Sequence, residues 1–494
     1  MTRSLLLAAG AGLALSGCGL LAPPVAMPPQ TLPQAQAPAA WYAPLPAAAP
    51  QPPAPAVAEA ARAAALRQWW QQFDDPVLVA LIDAGQAASP TIAAAASRIE
   101  QARAASTAAD AALIPFVNAQ GGASVASRNL IQPGMTNASL SVQAGWEIDL
   151  FGAGRARADA AAARLEASEA GWHDARIAVA AETGSTYNTL RGCEALVVQT
   201  EADVRSREET ARVTTLAVQA GMMAPASGAL ARASAAQGRS LLAAQRAQCE
   251  QLVKALVALT ALDEPALRAR LAPGHARQPL PATIEVERVP GQALAQRPDL
   301  AAAERQVLAA ADDTVRAQAQ RYPRIAIAGS VGPALLRVQD NSTSGNLWTI
   351  GPLQITLPLF NGGTLVANVV AARARYDEAL SAYRAAVRGA VREVESALVS
   401  LDSSARREAD LAVAIEGFEA SLQATDARFR GGLGSLFDLE EARRSLLVAR
   451  SSQVDLQRER VAAWIALYRA LGGGWTPADD LPVAAAKPAG NPPP

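Results

Sequence analysis

Three cysteines and two histidines are the side chains most able to support covalent or metal chemistry in this 494-residue chain. The cysteines are Cys18, Cys193 and Cys249, and the histidines are His173 and His275. They form no cluster with the spacing of a metal site, and the sequence contains no phosphate-binding glycine loop. The many carboxylates alternate with arginines, as on solvated helical faces. We therefore predict no enzymatic activity, no metal and no cofactor.

Cys18 follows a short apolar run behind a charged start. Leu5 to Leu15, about eleven mostly apolar residues, are too short to span a bilayer but suit a secretory signal. Leu15-Ser16-Gly17-Cys18 resembles the bacterial lipobox, which implies cleavage of residues 1–17 and a covalent lipid on Cys18. Gly19, in place of aspartate, indicates sorting to the outer membrane. The alternative is an ordinary signal peptide with an incidental cysteine.

Composition narrows the class of protein further. Half of the residues are apolar but only 4% are aromatic, and the net charge of −1 provides no basic surface for nucleic acid. No run of eighteen apolar residues follows the signal, so a membrane crossing would need a closed β-barrel. The proline- and alanine-rich ends predict an extended tether over 18–65 and a disordered tail over 476–494.

The body of the chain repeats itself once, at an offset of about 209 residues. Ser89-Pro90 and Arg297-Pro298 each open a predicted helix, and Phe151-Gly152-Ala153-Gly154 matches Phe360-Asn361-Gly362-Gly363. Each copy has the pattern helix, two strands, very long helix, turn, long helix. The predicted domains are a first repeat over 66–270, a linker over 271–296 and a second repeat over 297–475.

Each copy should contain a long helical hairpin. No proline interrupts residues 134–224 or 359–476, and apolar residues from Leu380 to Leu401 recur at spacings of three and four. This spacing is typical of coiled-coil packing.

The two internal cysteines lie at matching heights on the first hairpin. Its turn falls near Met222, with Cys193 29 residues before that position and Cys249 27 residues after it. In an antiparallel hairpin these positions face each other, so a disulfide is predicted in an oxidising periplasm. Two inert buried thiols are the alternative.

Alternation of apolar and polar residues predicts four strands. Leu140, Val142, Ala144 and Trp146 alternate with polar residues, which suits a strand with lipid on one side and water on the other. The segments around Ile325 and Leu353 alternate more weakly, and Gly121-Gly122 interrupts the segment 113–127. A soluble sheet with one buried face is the alternative.

Four strands are too few to close a membrane barrel, because the smallest barrels have about eight. Open strand edges in lipid are prohibitively costly. A barrel therefore requires more than one copy of the chain.

The body resembles the TolC-like outer membrane factors, most closely the lipoprotein branch that serves resistance-nodulation-division efflux pumps (the NodT-like outer membrane efflux lipoproteins). The segments that carry the resemblance are Arg297-Pro298-Asp299-Leu300, Ala302-Ala303-Glu304-Arg305, Tyr322-Pro323-Arg324-Ile325, Leu357-Pro358-Leu359-Phe360-Asn361-Gly362-Gly363, Val391-Arg392-Glu393-Val394-Glu395, Phe429-Arg430-Gly431-Gly432 and Leu467-Tyr468-Arg469-Ala470-Leu471-Gly472-Gly473-Gly474-Trp475. They span most of residues 65–475.

The resemblance implies an α+β membrane protein that assembles as a homotrimer. Each chain would give four strands to a twelve-stranded transmembrane β-barrel and two long coiled hairpins to a periplasmic α-barrel. The implied function is passive export of drugs or other small molecules, with a periplasmic adaptor and an inner-membrane pump as partners. The implied location is the outer membrane, lipid-anchored, with a large periplasmic portion.

The turn of the second hairpin resembles the family's gate. The resemblance implies an apolar constriction at Phe437 and an acidic, cation-selective ring from Asp438 and Glu441, with Arg444 tying neighbouring helices. The alternative is an ordinary helix start with acidic residues near the positive end of the dipole.

Both hairpin tips are expected to dock the adaptor. The residues assigned to this surface are Gly221, Met222, Met223, Gly431, Gly432, Leu433 and Gly434. Ser227 replaces an acidic residue common in relatives, so adaptor choice is expected to differ.

Two other functions fit part of the pattern. A type I-like protein-secretion channel would share the same superfamily architecture. A lipid-anchored envelope coiled coil without a pore would keep the hairpins but would not need the alternation around Trp146.

Overall fold

The computed structural model describes residues 38–45, 64–126, 134–279, 290–338 and 341–476. Cys18, the predicted signal and the predicted tail beyond Thr476 lie outside these ranges. The chain divides into two compact units that each combine both repeats. One unit contains Gln101–Glu166 and Glu304–Ala382, and the other contains Ala35–Glu100, Ala167–Ala303 and Tyr383–Pro494.

The described elements follow the predicted order. They are α1 (Pro76–Ala88), α2 (Pro90–Ala111), β1 (Phe116–Ala126), β2 (Met135–Ile148), α3 (Ala153–Gln219), α4 (Pro225–Thr260), α5 (Glu264–Leu271), α6 (Pro290–Ala295), α7 (Pro298–Ala319), β3 (Arg324–Val338), β4 (Asn341–Thr356), α8 (Thr364–Arg430) and α9 (Leu436–Ala470), with short 3₁₀ helices at Trp69–Phe73 and Gly472–Gly474. Within the described ranges no single helix has the length and apolarity to cross a membrane, although α1 and α2, bent by 47°, meet that test as a pair.

The predicted duplication is confirmed by matched helix lengths. The helices α2 and α7 both have 22 residues, and α3 and α8 both have 67. The returning helices α4 and α9 have 36 and 35 residues. The two long hairpins are therefore equivalent structures built from the two repeats.

The four predicted strands form one antiparallel sheet with the order β1-β2-β3-β4. The strand β1 continues through Gly121-Gly122, which pair with Leu140 and Ser139 of β2. The strand β4 begins at Asn341, well before the predicted Leu353, and ends before Leu357. The outer edges of β1 and β4 pair with no other described strand.

The register gives this sheet one apolar and one polar face. One row across the four strands contains Ala119, Val142, Val331 and Trp348, and the adjacent row contains Asn118, Gln143, Ser330 and Thr349. Because neighbouring rows point to opposite faces, the two sets of side chains are segregated. On the polar face the hydroxyls of Ser330 and Thr349 are 2.9 Å apart. On the apolar face Trp348 is 70% exposed, so the single chain leaves this face uncovered.

The helices of the same unit pack through small side chains. Ala160, Ala163 and Ala309 form one buried contact between α3 and α7. Asp313 of α7 pairs with Arg164 of α3. The alanine-rich composition thus permits close helix contact, with ion pairs at its margin.

Asp312, in α7 and outside the strands, has a pKa raised from 3.8 to about 6 by burial and by the carboxylates of Asp159 and Asp313. A raised carboxyl pKa means that the folded state binds more protons, so the free energy of unfolding falls as the pH rises from about 4 to 6. We expect Asp312→Asn to raise the melting temperature at pH 7.5 by about 1–3 °C. At pH 3.5, where both states are protonated, thermal scans should show no difference. Asp313→Asn is the control and should destabilise, because Asp313 pairs with Arg164 and Arg316.

The second unit has an aromatic core that explains two sequence signatures. Trp69 stacks on Tyr468 with ring centroids 5.1 Å apart. Arg297, almost fully buried, donates to Asp299 at 2.7 Å, to Glu393 at 2.9 Å and to the Ala470 carbonyl at 2.9 Å. The Arg-Pro-Asp signature therefore joins the start of α7 to α8 and to the end of α9.

Part of the predicted tether packs on the body instead of remaining extended. The backbone N–H groups of Tyr42 and Ala43 donate to the Glu395 carboxylate at 2.7 and 2.8 Å. Trp41 and Ala43 are buried in the core of the second unit. The segment 38–45 is thus attached to α8.

Candidate functional site at the hairpin tips

The two tips have the same backbone geometry. At the first, Gly221 has φ +73° and Met222 N–H donates to the Ala217 carbonyl at 2.8 Å. At the second, Gly432 has φ +73° and Leu433 N–H donates to the Arg428 carbonyl at 2.9 Å. This is the Schellman helix ending, in which a left-handed glycine lets the chain reverse. The glycines predicted to mark the tips are required by their conformation.

The predicted docking residues present apolar groups to solvent. Met222 is 75% exposed and Leu433 is 79% exposed. Gly221, Gly431 and Gly432 are exposed, and Met223 and Gly434 are half-buried. In the second unit the seven residues thus form two glycine turns, each with a protruding apolar side chain.

The predicted gate residues do not all share one environment. Phe437, Glu441 and Arg444 lie on one exposed face of α9, because they are spaced by four and three residues. Glu441 pairs with Arg444 at 3.2 Å, with more than half of each side chain exposed. Three copies of this face around an axis would place a ring of phenyl groups one helical turn from a ring of carboxylates.

Asp438 has a local structural role. Ser435 caps α9 by accepting from Asp438 N–H at 3.1 Å, and the Asp438 carboxylate accepts from Ser435 N–H at 3.4 Å. This capping box begins the helix on which the other gate residues lie. Its carboxylate is engaged at the helix start, which matches the alternative noted for acidic residues there.

A buried polar network beside the tips was missed by the sequence reasoning. The Glu440 carboxylate accepts from Arg207 of α3 at 2.9 Å and from Arg443 at 3.0 Å, and it also bonds the hydroxyl of Ser234 of α4. Arg443 donates onward to the Thr210 hydroxyl at 2.8 Å. The Arg207, Glu440 and Arg443 side chains are 12%, 9% and 6% exposed. One carboxylate therefore ties α9 to both helices of the first hairpin.

An apolar cluster next to this network completes the contact between the hairpins. Leu436 and Leu439 of α9 pack with Ala231 of α4, and Phe429 lies against them. Glu440 and Arg443 belong to the same buried face as these leucines. Polar residues within an apolar stripe are the signal that could have identified the network from sequence.

The structure joins Cys193 and Cys249 in a disulfide between α3 and α4, with Cα atoms 5.7 Å apart. The bond lies in the second unit beside an apolar contact of Val197, Val204 and Leu242.

The described residues contain no cluster of three or more histidine, cysteine or acidic side chains able to hold a metal ion. The geometry at the tips therefore offers binding surfaces and a helix contact held by charge, and it offers no reaction chemistry.

Comparison with known proteins agrees with this geometry. The family model for outer membrane efflux proteins matches residues 81–262 and 289–473. The chain is similar to outer membrane protein OprJ of Pseudomonas aeruginosa, at 31% identity over 67% of this chain and 68% of that protein. It is also similar to a probable efflux pump outer membrane protein, TtgC of Pseudomonas putida, at 28% identity over 96% of both chains. Among solved structures, the outer-membrane channel OprN matches with a TM-score of 0.77 and 26% identity, over 83% of this chain and 93% of that one.

Proposed function

The chain belongs to the outer membrane efflux protein family, and from this membership we propose how it is assembled and gated. It is an outer-membrane exit duct for efflux and not an enzyme. We propose that three copies form a twelve-stranded barrel, and that export is passive and driven by an inner-membrane pump of the resistance-nodulation-division class through a periplasmic adaptor. Drugs or other small molecules are the proposed cargo.

The observation that supports the trimer is the sheet of one chain. It has an uncovered apolar face, a polar face, and outer edges on β1 and β4 without a described partner. Backbone groups on such edges have no water to bond in a bilayer, where each unsatisfied group costs several kcal/mol. Pairing β1 of one copy with β4 of the next satisfies both edges, and three copies close the ring.

Cysteine cross-linking tests this arrangement. With Ala119→Cys on β1 fixed and single cysteines scanned along 345–353 of β4, oxidation should give dimer and trimer bands on a denaturing gel. The matched control moves the first cysteine to Val142 on the inner strand β2, which should give no bands. Monomer at every scanned position would contradict the proposal.

The lipid anchor is proposed from Leu15-Ser16-Gly17-Cys18. We expect Cys18→Ser to abolish incorporation of labelled palmitate and to retain the signal on the chain, since the lipobox cysteine is the acylated residue. Mass spectrometry of the amino-terminal peptide checks both effects. An unacylated, processed wild-type chain would instead assign residues 1–17 to an ordinary signal peptide.

The tips are the proposed adaptor-docking surface. Met222 and Leu433 each project from a rigid glycine turn, and apolar anchors on fixed turns lose little entropy on binding. The closed state is proposed to rest on two features of α9: the exposed face with Phe437 and Glu441, and the buried contact of Glu440 with the first hairpin.

A further inference from the structure

A cavity of about 430 Å³ opens in the second unit where the described chain ends. Its size falls within the range of about 300–1,000 Å³ that is typical of binding pockets. The lining includes Arg67, Trp70, Asp83, Arg176, Tyr468 and Trp475. None of the gate or tip residues contributes to it.

The lining favours an acidic occupant. Two guanidinium groups, those of Arg67 and Arg176, line the cavity with a single carboxylate, that of Asp83. Arg176 is held in place by the Trp172 ring, whose centroid lies 4.9 Å from the guanidinium carbon. The Trp70 indole N–H is buried and donates to no described acceptor. Carboxylate oxygens would supply both the missing charge and the missing acceptor.

The chain itself leads an acidic pair to this cavity. Trp475 lines the cavity, and Arg67 donates to the Gly474 carbonyl at 3.2 Å, so the guanidinium already lies along the departing backbone. Asp479 and Asp480 follow Thr476 by three and four residues. At no more than about 3.6 Å per residue, they lie within about 11–14 Å of Thr476. They are the only acidic residues after that position.

We propose that the segment beyond Thr476 turns back into this cavity and that Asp479 and Asp480 bind Arg67 and Arg176. The segment would then cover the aromatic core formed by Trp70 and its neighbours. The proposal does not depend on transport, trimer formation or lipidation.

A peptide-binding experiment tests it on the purified full chain in detergent. A chain ending at Thr476 should bind a synthetic peptide of residues 476–482, detected by tryptophan fluorescence, whereas the full chain should not, because its own segment fills the cavity. The same peptide with both aspartates changed to asparagine should bind at least about tenfold more weakly, as expected for the loss of charge-assisted bonds. Arg176→Gln in the shortened chain should have the same effect.

Two outcomes would overturn the proposal. One is equal binding of the peptide to the full and shortened chains, and the other is equal binding of the aspartate and asparagine peptides. If free acetate bound both chains equally, the cavity would belong to a soluble carboxylate ligand, and the proposal would also fail.

A second pair of variants covers the case in which the shortened chain does not fold. Asp479→Asn with Asp480→Asn in the full chain should make the cavity accessible to the wild-type peptide. Lys487→Gln, a charge change beyond the acidic pair, should leave the cavity closed. Identical behaviour of the two variants would reject the assignment.

Discussion

Replacing Glu440 with glutamine should open the closed duct and loosen the tips. The substitution leaves Arg207 and Arg443 buried with less negative charge, and breaking a buried ion pair costs about 3–5 kcal/mol. Since this carboxylate joins α9 to α3 and α4, that cost falls on the contact between the hairpins. We expect the closed-state conductance in planar bilayers to rise several-fold over that of the wild-type protein.

The neighbouring Glu441 provides a matched control. It has the same chemistry one residue away, but it is more than half exposed and pairs only locally with Arg444. An exposed pair of this kind contributes about 0–1 kcal/mol. We expect Glu441→Gln, alone or with Asp438→Asn, to change ion selectivity by weakening a carboxylate ring, with little effect on leakage through the closed state.

A third variant separates opening from misfolding. Adding Arg443→Met to Glu440→Gln removes the excess buried charge, while Arg207 keeps its contact with Asp203 at 2.6 Å. The double variant should recover much of the closed state, because an apolar replacement of a buried ion pair is often tolerated. If the single variant conducts like the wild-type protein while Glu441→Gln leaks, the closing contact lies on the exposed face instead.

The hairpins, strands and tips could be predicted because each has a local signal. Apolar spacing along α8, alternation along β2 and the glycines at Gly221 and Gly432 all depend on residues close together in the chain. The strand through Gly121-Gly122 was the weakest prediction, because its pairing with β2 compensates for a poor local pattern. Duplication strengthened the rest, since each element had a second copy.

The buried network could not be predicted from the sequence in the same way. Glu440 and its partner Arg207 are 233 residues apart, and only the packing of α3 against α9 shows that both are buried. By sequence alone, Glu440 and Glu441 are equivalent acidic residues at a helix start. The contact of Ala43 with Glu395 spans 352 residues and was missed for the same reason.

Loss of the link between Cys193 and Cys249 should have the other large effect, on stability. The two cysteines are 56 residues apart, and a cross-link that closes a loop of this length stabilises a fold by about 4 kcal/mol through the unfolded chain. We expect Cys193→Ala, Cys249→Ala and the double variant to lower the denaturant midpoint by nearly the same amount. The effects should not add, because either single change already removes the bond.

The site of the link makes it a constraint on the first hairpin. The bond joins α3 to α4 above the tip, and Cys193 is buried among apolar neighbours, so each helix is fixed against sliding along the other. The height of Met222 relative to Leu433 would then depend on that register, and the double variant should also dock an adaptor less well. Peptide mapping without reductant should find residues 193 and 249 in one cross-linked peptide pair. Two freely alkylated thiols, or a midpoint unchanged by reduction, would show that packing alone holds the helices.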